Sequence, residues 1–216
     1  VIAKFGSLRS LMPALHLPVQ SGSDAVLAAM NRRYTRAHYR DLVDKLRDAC
    51  PDIALSTDVI VGFPGEGEAD FEDTCRLVEE VGYHQVFTFI YSKREGTPAA
   101  TLVDDTPHEV VQRRFDRLVE VVQDQAFRAN QRDVDTTVDV LVEGASKRDE
   151  AIMAGKSPKN QTVHARLPEG VSASDLAGRI VQVRVDEART WYLSGEVVGG
   201  ETAPAFVADG PGEDRP

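Results

Sequence analysis

Apolar residues in the first 130 positions follow two alternating spacings. Ile53, Leu55, Val59, Ile60 and Val61 crowd into IALSTDVIV, a β-branched run too short for a stable helix, which predicts a buried strand. The Gly62-Phe63-Pro64-Gly65 that follows continues neither a strand nor a helix. From Glu66 to Val81 the spacing becomes helical, with Phe71, Cys75, Leu77 and Val78 on one side. Strand, glycine-rich turn and helix make a βα unit whose turn lies at the carboxyl end of the strand, where α/β proteins bind ligands. Thr57 and Asp58 interrupt the apolar run just before that end, as satisfied core residues or as parts of a site.

The same alternation extends to both sides. LMPALHLPVQ, ending at Gln20, reads as a short strand, and Ser21-Gly22-Ser23 as a turn. Ser23 stands where a helix N-cap belongs, with Asp24 in the first turn of a helix running to Met30. Thr35 caps a second helix with Tyr39, Leu42, Val43, Leu46 and Ala49 on its apolar face, and Pro51 ends it. HQVFTFIY at 84–91 predicts a third strand, with Phe87, Phe89 and Tyr91 alternating against Val86, Thr88 and Ile90 and both faces expected to be covered. A long helix opened by Thr106 carries Val110, Val111, Phe115, Leu118, Val121, Val122 and Phe127 at helical spacing to about Arg132. The order β-α-β-α-β-α implies parallel strands joined by right-handed crossovers. Three such strands with one bare edge form a marginal sheet. The expectation is a fragment of a larger barrel-like domain, or a sheet that another chain completes.

After Asp133 the pattern shortens. TVDVLV at 137–142, QTVHARL at 161–167, RIVQVRV at 179–185 and WYLSGEVV at 191–198 alternate between Gly, Pro and Asn breaks, which suggests a small β-barrel of four or five strands. The expected division is 1–132, 133–198 and a tail at 199–216. The tail is rich in Gly, Pro and acids and is expected to be disordered.

Composition narrows the class. Hydrophobic content of 42% and charged content of 28% suit a soluble globular protein. No apolar run approaches the roughly 20 residues that cross a bilayer, and the amino terminus lacks a secretory signal pattern, so no membrane partner and a cytoplasmic location are expected. Cys50 and Cys75, read as buried free thiols, are too few for a disulfide framework or an iron–sulfur site. The net charge of -10 argues against indiscriminate nucleic-acid binding but not against a local basic surface.

LHLPVQSGSD at 15–24, AMNRRYT at 29–35, STDVIVGFPGE at 56–66 and FTFIYSKREGTPAA at 87–100 occur in this order and spacing. Together they resemble the radical S-adenosylmethionine methylthiotransferases, most closely the MiaB type that acts on tRNA, and 133–198 resembles that family's RNA-binding TRAM domain. The implied fold is α/β: the carboxyl-terminal half of a partial (β/α)6 TIM-like barrel followed by a small all-β, OB-like barrel. The implied activity adds a methylthio group to C2 of N6-isopentenyladenosine beside the tRNA anticodon. Family members use a [4Fe-4S] cluster on CxxxCxxC to cleave S-adenosylmethionine to a 5′-deoxyadenosyl radical, and a second cluster supplies sulfur. This sequence has no CxxxCxxC, so its cluster ligands are absent. The expected partners are a tRNA anticodon stem-loop and an amino-terminal half or separate chain carrying the clusters, and the isolated chain is expected to be inactive.

The resemblance assigns cofactor roles to five residues. Gln20 and Ser21 approach the ribose and amino-acid part of S-adenosylmethionine, although a capping turn also explains Ser23. Arg32, two residues after Met30, suits the methionyl carboxylate through bidentate hydrogen bonds and is preferred over Arg33. Asp58 accepts from a hydroxyl or amine, and Gly62 lets backbone approach the adenine side. Glu66 has the alternative of serving only the first helical turn. Phe87, Phe89 and Tyr91 read as core more readily than as cofactor wall. His16 and His84, without partner carboxylates, read as structural, and nothing supports a Ser-His-Asp triad, a P-loop or a catalytic or metal-ligating set.

For RNA the candidates are Lys93 and Arg94 after the third strand. Lys147, Arg148, Lys156, Lys159 and Arg166 lie in a loop-rich stretch facing only Asp149 and Glu150, with Trp191 or Tyr192 available for stacking. A solvated loop is the alternative reading there, because 133–198 holds eleven acids against eight basic residues. Two other functions compete: a module that only docks tRNA or completes a barrel in trans, and a sister methylthiotransferase acting on N6-threonylcarbamoyladenosine or a ribosomal protein.

Overall fold

In the computed structural model, residues 1–8, 10–103, 106–147 and 149–199 are described. Arg148 and, beyond Gly199, the tail read as disordered lie outside them. The chain divides into two units, Val1–Asn130 and the segment from Gln131 onward.

In the first unit a short helix α1 (Ile2–Phe5) precedes strand β1 (Ala14–His16), helix α2 (Asp24–Ala29) and helix α3 (Arg36–Ala49). Strand β2 (Ala54–Val61), helix α4 (Glu68–Val81), strand β3 (Gln85–Ile90) and helix α5 (His108–Gln131) complete it. Two of the three expected caps are seen: Ser23 Oγ accepts from the Val26 amide and Thr35 Oγ1 from the His38 amide, each satisfying an amide that has no partner within its helix. The strands pair in parallel in the order β1-β2-β3. β1 is shorter than the 12–20 run suggested. The chain leaves the ladder after His16 and rejoins it at Gln20, which bridges to Val59.

One face of this sheet is covered. Leu55, Val59, Val61 and Val86 join Tyr39, Val43 and Leu46 of α3, Phe71, Leu77 and Val78 of α4, and Leu118 and Val122 of α5 in one core. The other face carries His16, Ser56, Asp58, Ile60, Phe87 and Phe89, which the register places side by side. The expectation that both faces are covered therefore fails: Phe87 is 41% and Phe89 50% exposed. Period-two alternation sends Val86 into the helices and the phenylalanines to the opposite side.

The second unit is a closed five-stranded barrel, β4 (Thr137–Ala145), β5 (Ile152–Lys156), β6 (Thr162–Arg166), β7 (Ile180–Ala188) and β8 (Tyr192–Gly199), in the order β4-β5-β6-β8-β7. A short helix α6 (Ala173–Leu176) lies between β6 and β7. Only β6 and β8 pair in parallel. Val140, Val142, Met153, Val163, Val183, Val185 and Leu193 point inward and fill the barrel. β5 corrects the loop-rich reading of 146–166. Its sequence IMAGK lacks a strand signature because Gly155 is set by its neighbours: a Cβ there would lie 2.3 Å from the Leu141 carbonyl oxygen.

Candidate functional site

The loop after β1 is fixed before any ligand arrives. Tyr39 Oη donates to the Leu17 carbonyl at 2.7 Å and receives a hydrogen bond from Tyr83 Oη at 3.0 Å. Thr57 Oγ1 accepts from the Val19 amide at 2.9 Å. Thr57 thus faces the helices and holds this loop, whereas its neighbour Asp58 faces the open side. Gln20 follows at φ +72°, a left-handed conformation that costs a non-glycine residue about 1–2 kcal/mol. The ladder enforces it: the Gln20 amide donates to the Asp58 carbonyl and its own carbonyl accepts from the Ile60 amide, both at 2.9 Å. Strain of this kind persists where surrounding contacts over-determine it, and such places cluster at binding sites.

A cavity of about 570 Å³ opens over the carboxyl ends of β2 and β3. It brings together Gln20, Arg32, Asp58 and Arg94, with Ile60 and Phe89 as apolar wall. Its size and its mix of apolar wall with a few polar groups suit a small-molecule site. Ser21 is not among them. It is fully buried against α4, where its Oγ lies 3.3 Å from Thr74 Oγ1 and accepts from the Ser23 amide. Gly62 is needed for the turn itself. Its φ is +75°, and a Cβ would stand 2.6 Å from Val111 Cγ1 of α5.

The Gly62 amide donates to Glu66 Oε2 at 2.7 Å, so Glu66 closes the turn rather than serving the first turn of α4, whose acids are Glu68 and Asp70. Burial pushes the Glu66 carboxyl above its usual range, against the opposing pull of the Gly62 amide and of Arg114. Arg114, 6% exposed, donates to the Glu66 carbonyl and to Glu68 Oε2, each at 2.9 Å. Sequence reasoning passed over Arg114, although its place in the buried stripe between Val111 and Leu118 marks a charge that must find a partner.

His16 was also missed. Its Nδ1 lies 3.0 Å from Ser56 Oγ, its Nε2 3.5 Å from Asp58 Oδ2, and its ring meets Phe87 edge-on at 5.9 Å. The structural reading rested on the lack of a carboxylate partner, and the β1–β2 register supplies one. Cys75 is buried, with its thiol pushed up to about 11 mainly by desolvation. Cys50 is only half-buried at the end of α3, contrary to expectation.

The basic candidates scatter. Lys93 is exposed. Lys159 pairs with the largely buried Asp133 at 2.9 Å, and Gln161 Nε2 donates to the same carboxylate. Arg166 pairs with Asp186 at 2.5 Å, and Lys156 donates to Thr162 Oγ1 at 3.0 Å. Lys147 is exposed. Tyr192 packs edge-on against His164 at 5.2 Å, and Trp191 is exposed.

The first unit is thus a parallel α/β sheet with a ligand-sized cavity at its carboxyl edge, and the second a small closed β-barrel. The model of the radical SAM superfamily matches residues 2–78, and that of the TRAM domain matches residues 131–198. The chain is 47% identical over 198 residues to the tRNA-2-methylthio-N(6)-dimethylallyladenosine synthase of Oceanobacillus iheyensis, 46% to that of Geobacillus kaustophilus and 43% to that of Staphylococcus aureus. These alignments cover 92% of this chain and 36–37% of each relative. The chain belongs to the radical S-adenosylmethionine methylthiotransferase family and spans a little over a third of the length of these curated relatives.

The family implies S-adenosylmethionine and [4Fe-4S] clusters as cofactors. A cluster does not fit the residues present. The only cysteines are Cys50 and Cys75, the second buried as a neutral thiol, and no group of three or more His, Cys, Asp or Glu among the described residues could hold a metal. No helix among the described residues is long and apolar enough to cross a membrane.

Proposed function

We propose that the chain is part of a tRNA methylthiotransferase that modifies C2 of N6-isopentenyladenosine beside the anticodon. In this reading its sheet is the carboxyl-terminal half of a partial (β/α)6 barrel, residues 1–132, and 133–198 is a TRAM-type RNA-binding module. The observation that carries the cofactor half is the convergence of Gln20, Arg32 and Asp58 on one cavity at the sheet's carboxyl edge. The Arg32 guanidinium suits the methionyl carboxylate, the Asp58 carboxylate a hydroxyl or the ammonium, and Ile60 and Phe89 the apolar remainder. S-adenosylmethionine, when bound, supplies the radical and methyl chemistry of the family, and these residues hold and orient it. Of the other two cofactor candidates, Gly62 shapes the turn beside the cavity and Ser21 supports the loop behind Gln20.

The substrate partner is a tRNA anticodon stem-loop, which sets the compartment as the cytosol. Arg94, in the cavity wall, and the exposed Lys93 are the first unit's candidates for it. Cluster ligands come from outside this sequence, on an amino-terminal part or a separate chain. Titration calorimetry with S-adenosylmethionine tests the cofactor site. Saturable binding is expected, weakened about tenfold or more by Arg32→Ala or Asp58→Ala, the cost of losing a charge-assisted hydrogen bond. No binding, or binding indifferent to both substitutions, overturns the assignment. Reconstitution of this chain with iron and sulfide is expected to yield no 5′-deoxyadenosine above a no-protein control.

A further inference from the structure

The β unit has a cavity of its own, of about 670 Å³, on the outer face of β4, β5, β6 and β8. Ala154 of β5 pairs with His164 of β6, and His164 meets the ring of Tyr192 edge-on at an interplanar angle of 83°. Tyr192 itself stays exposed. Glu143, Lys147 and Asp149 line the same cavity. Among the described residues Glu143 and Lys147 have no side-chain partner, and Asp149 uses one oxygen to accept from the Ala151 amide.

This is the wrong charge set for a phosphate path. Among the described lining residues two carboxylates outnumber one ammonium, and burial lowers the His164 pKa, which disfavours its cationic form. Tracking a nucleic-acid backbone requires an excess of positive charge. Two of the module's other cations, Lys159 and Arg166, are held by Asp133 and Asp186. What the cavity offers is an exposed aromatic ring with free carboxylate acceptors beside it. Unpaired bases in single-stranded RNA are recognised by this combination: a π-face to stack on and acceptors for an exocyclic amine.

We infer that this cavity takes one unpaired nucleobase of a single-stranded RNA, stacked on Tyr192, with its exocyclic amine donating to Glu143 or Asp149. Lys147 meets the phosphate beside that base. The inference deepens the RNA-binding reading of the module and rests on it. It adds a preference that a basic loop would not have: adenosine, cytidine or guanosine over uridine, and single strand over duplex.

Fluorescence anisotropy of labelled oligoadenylate, oligouridylate and a short RNA duplex, titrated with the full chain, tests it. Oligoadenylate is expected to bind most tightly. Tyr192→Ala should weaken that binding by about five- to a hundredfold, the range for losing one stacked base, and Tyr192→Phe, which keeps the ring, should retain it. Glu143→Gln together with Asp149→Asn should narrow the gap between oligoadenylate and oligouridylate. Lys147→Glu should lower the slope of log affinity on log salt by about one. Oligouridylate binding as tightly as oligoadenylate, or Tyr192→Ala binding like the parent chain, overturns the inference while leaving the RNA-binding reading in place. A parent chain that binds none of the three RNAs overturns both.

Discussion

Gly62 gives the sharpest test of how the cavity edge is built. Its φ of +75° costs an L side chain about 1–2 kcal/mol. An added Cβ would also stand 2.6 Å from Val111 Cγ1 and 3.1 Å from Cγ2, against an optimum of about 3.5–4.0 Å between carbons. Val111 cannot swing aside, because a β-branched side chain in a helix has essentially one rotamer, so the turn or α5 must shift by close to an ångström. Overpacking of this kind costs about 1–3 kcal/mol. Gly62→Ala is therefore expected to destabilise the first unit by about 2–5 kcal/mol. With an m-value of about 1–3 kcal/mol per molar urea, the midpoint should fall by at least about 0.7 M.

The two units can be followed separately. Trp191 is the chain's only tryptophan and sits in the β unit, so its emission reports that unit, while far-ultraviolet circular dichroism is dominated by α3, α4 and α5. The helical transition should move and the tryptophan transition should stay. Gly62→Ala combined with Val111→Ala should cost less than the sum of the single substitutions, because the second removes the atoms the first strikes. A loss below about 1 kcal/mol for Gly62→Ala, or strict additivity in the pair, would refute the packing argument.

Two further outcomes follow from buried ionisable groups. The folded pKa of Glu66 lies above its unfolded value of about 4.5, so its contribution to stability is full below that value and is lost as pH rises through the folded pKa. Glu66→Gln should flatten that fall in the urea midpoint of the helical unit, and an unchanged pH profile would count against burial as the cause. At neutral pH, iodoacetamide should alkylate the half-buried Cys50 well before Cys75, whose thiol is buried and pushed up to about 11. Equal labelling rates without denaturant would contradict that placement.

Much of the fold was written locally. Ser23 and Thr35 cap their helices because a hydroxyl before an apolar-periodic run has a free amide within reach, whatever the rest of the chain does. The helical spacing in Glu66–Val81 and Val110–Val122, and the change to short alternating strands after Asp133, likewise depend only on neighbours in sequence. Gln20, Arg32 and Asp58, chosen through the family resemblance of the motifs that hold them, lie around one cavity. Identity by motif did not extend to orientation.

Tertiary contacts decided the rest. Both faces of β3 are apolar, so the sequence could not say which one meets the helices; packing against α4 and α5 chose Val86 and left Phe87 and Phe89 open. His16 and Asp58 are 42 positions apart, and only the parallel register of β1 on β2 makes them neighbours. Ser21 turns to Thr74 while Gln20 turns to the cavity, and that one-residue difference is set by a left-handed backbone no pattern announced. Lys159 and Arg166 looked free because Asp133 and Asp186 are distant in sequence. Local propensity fixes which elements form, whereas the partner of each polar group is settled when non-local strands and helices pack and every buried charge must find its counterpart.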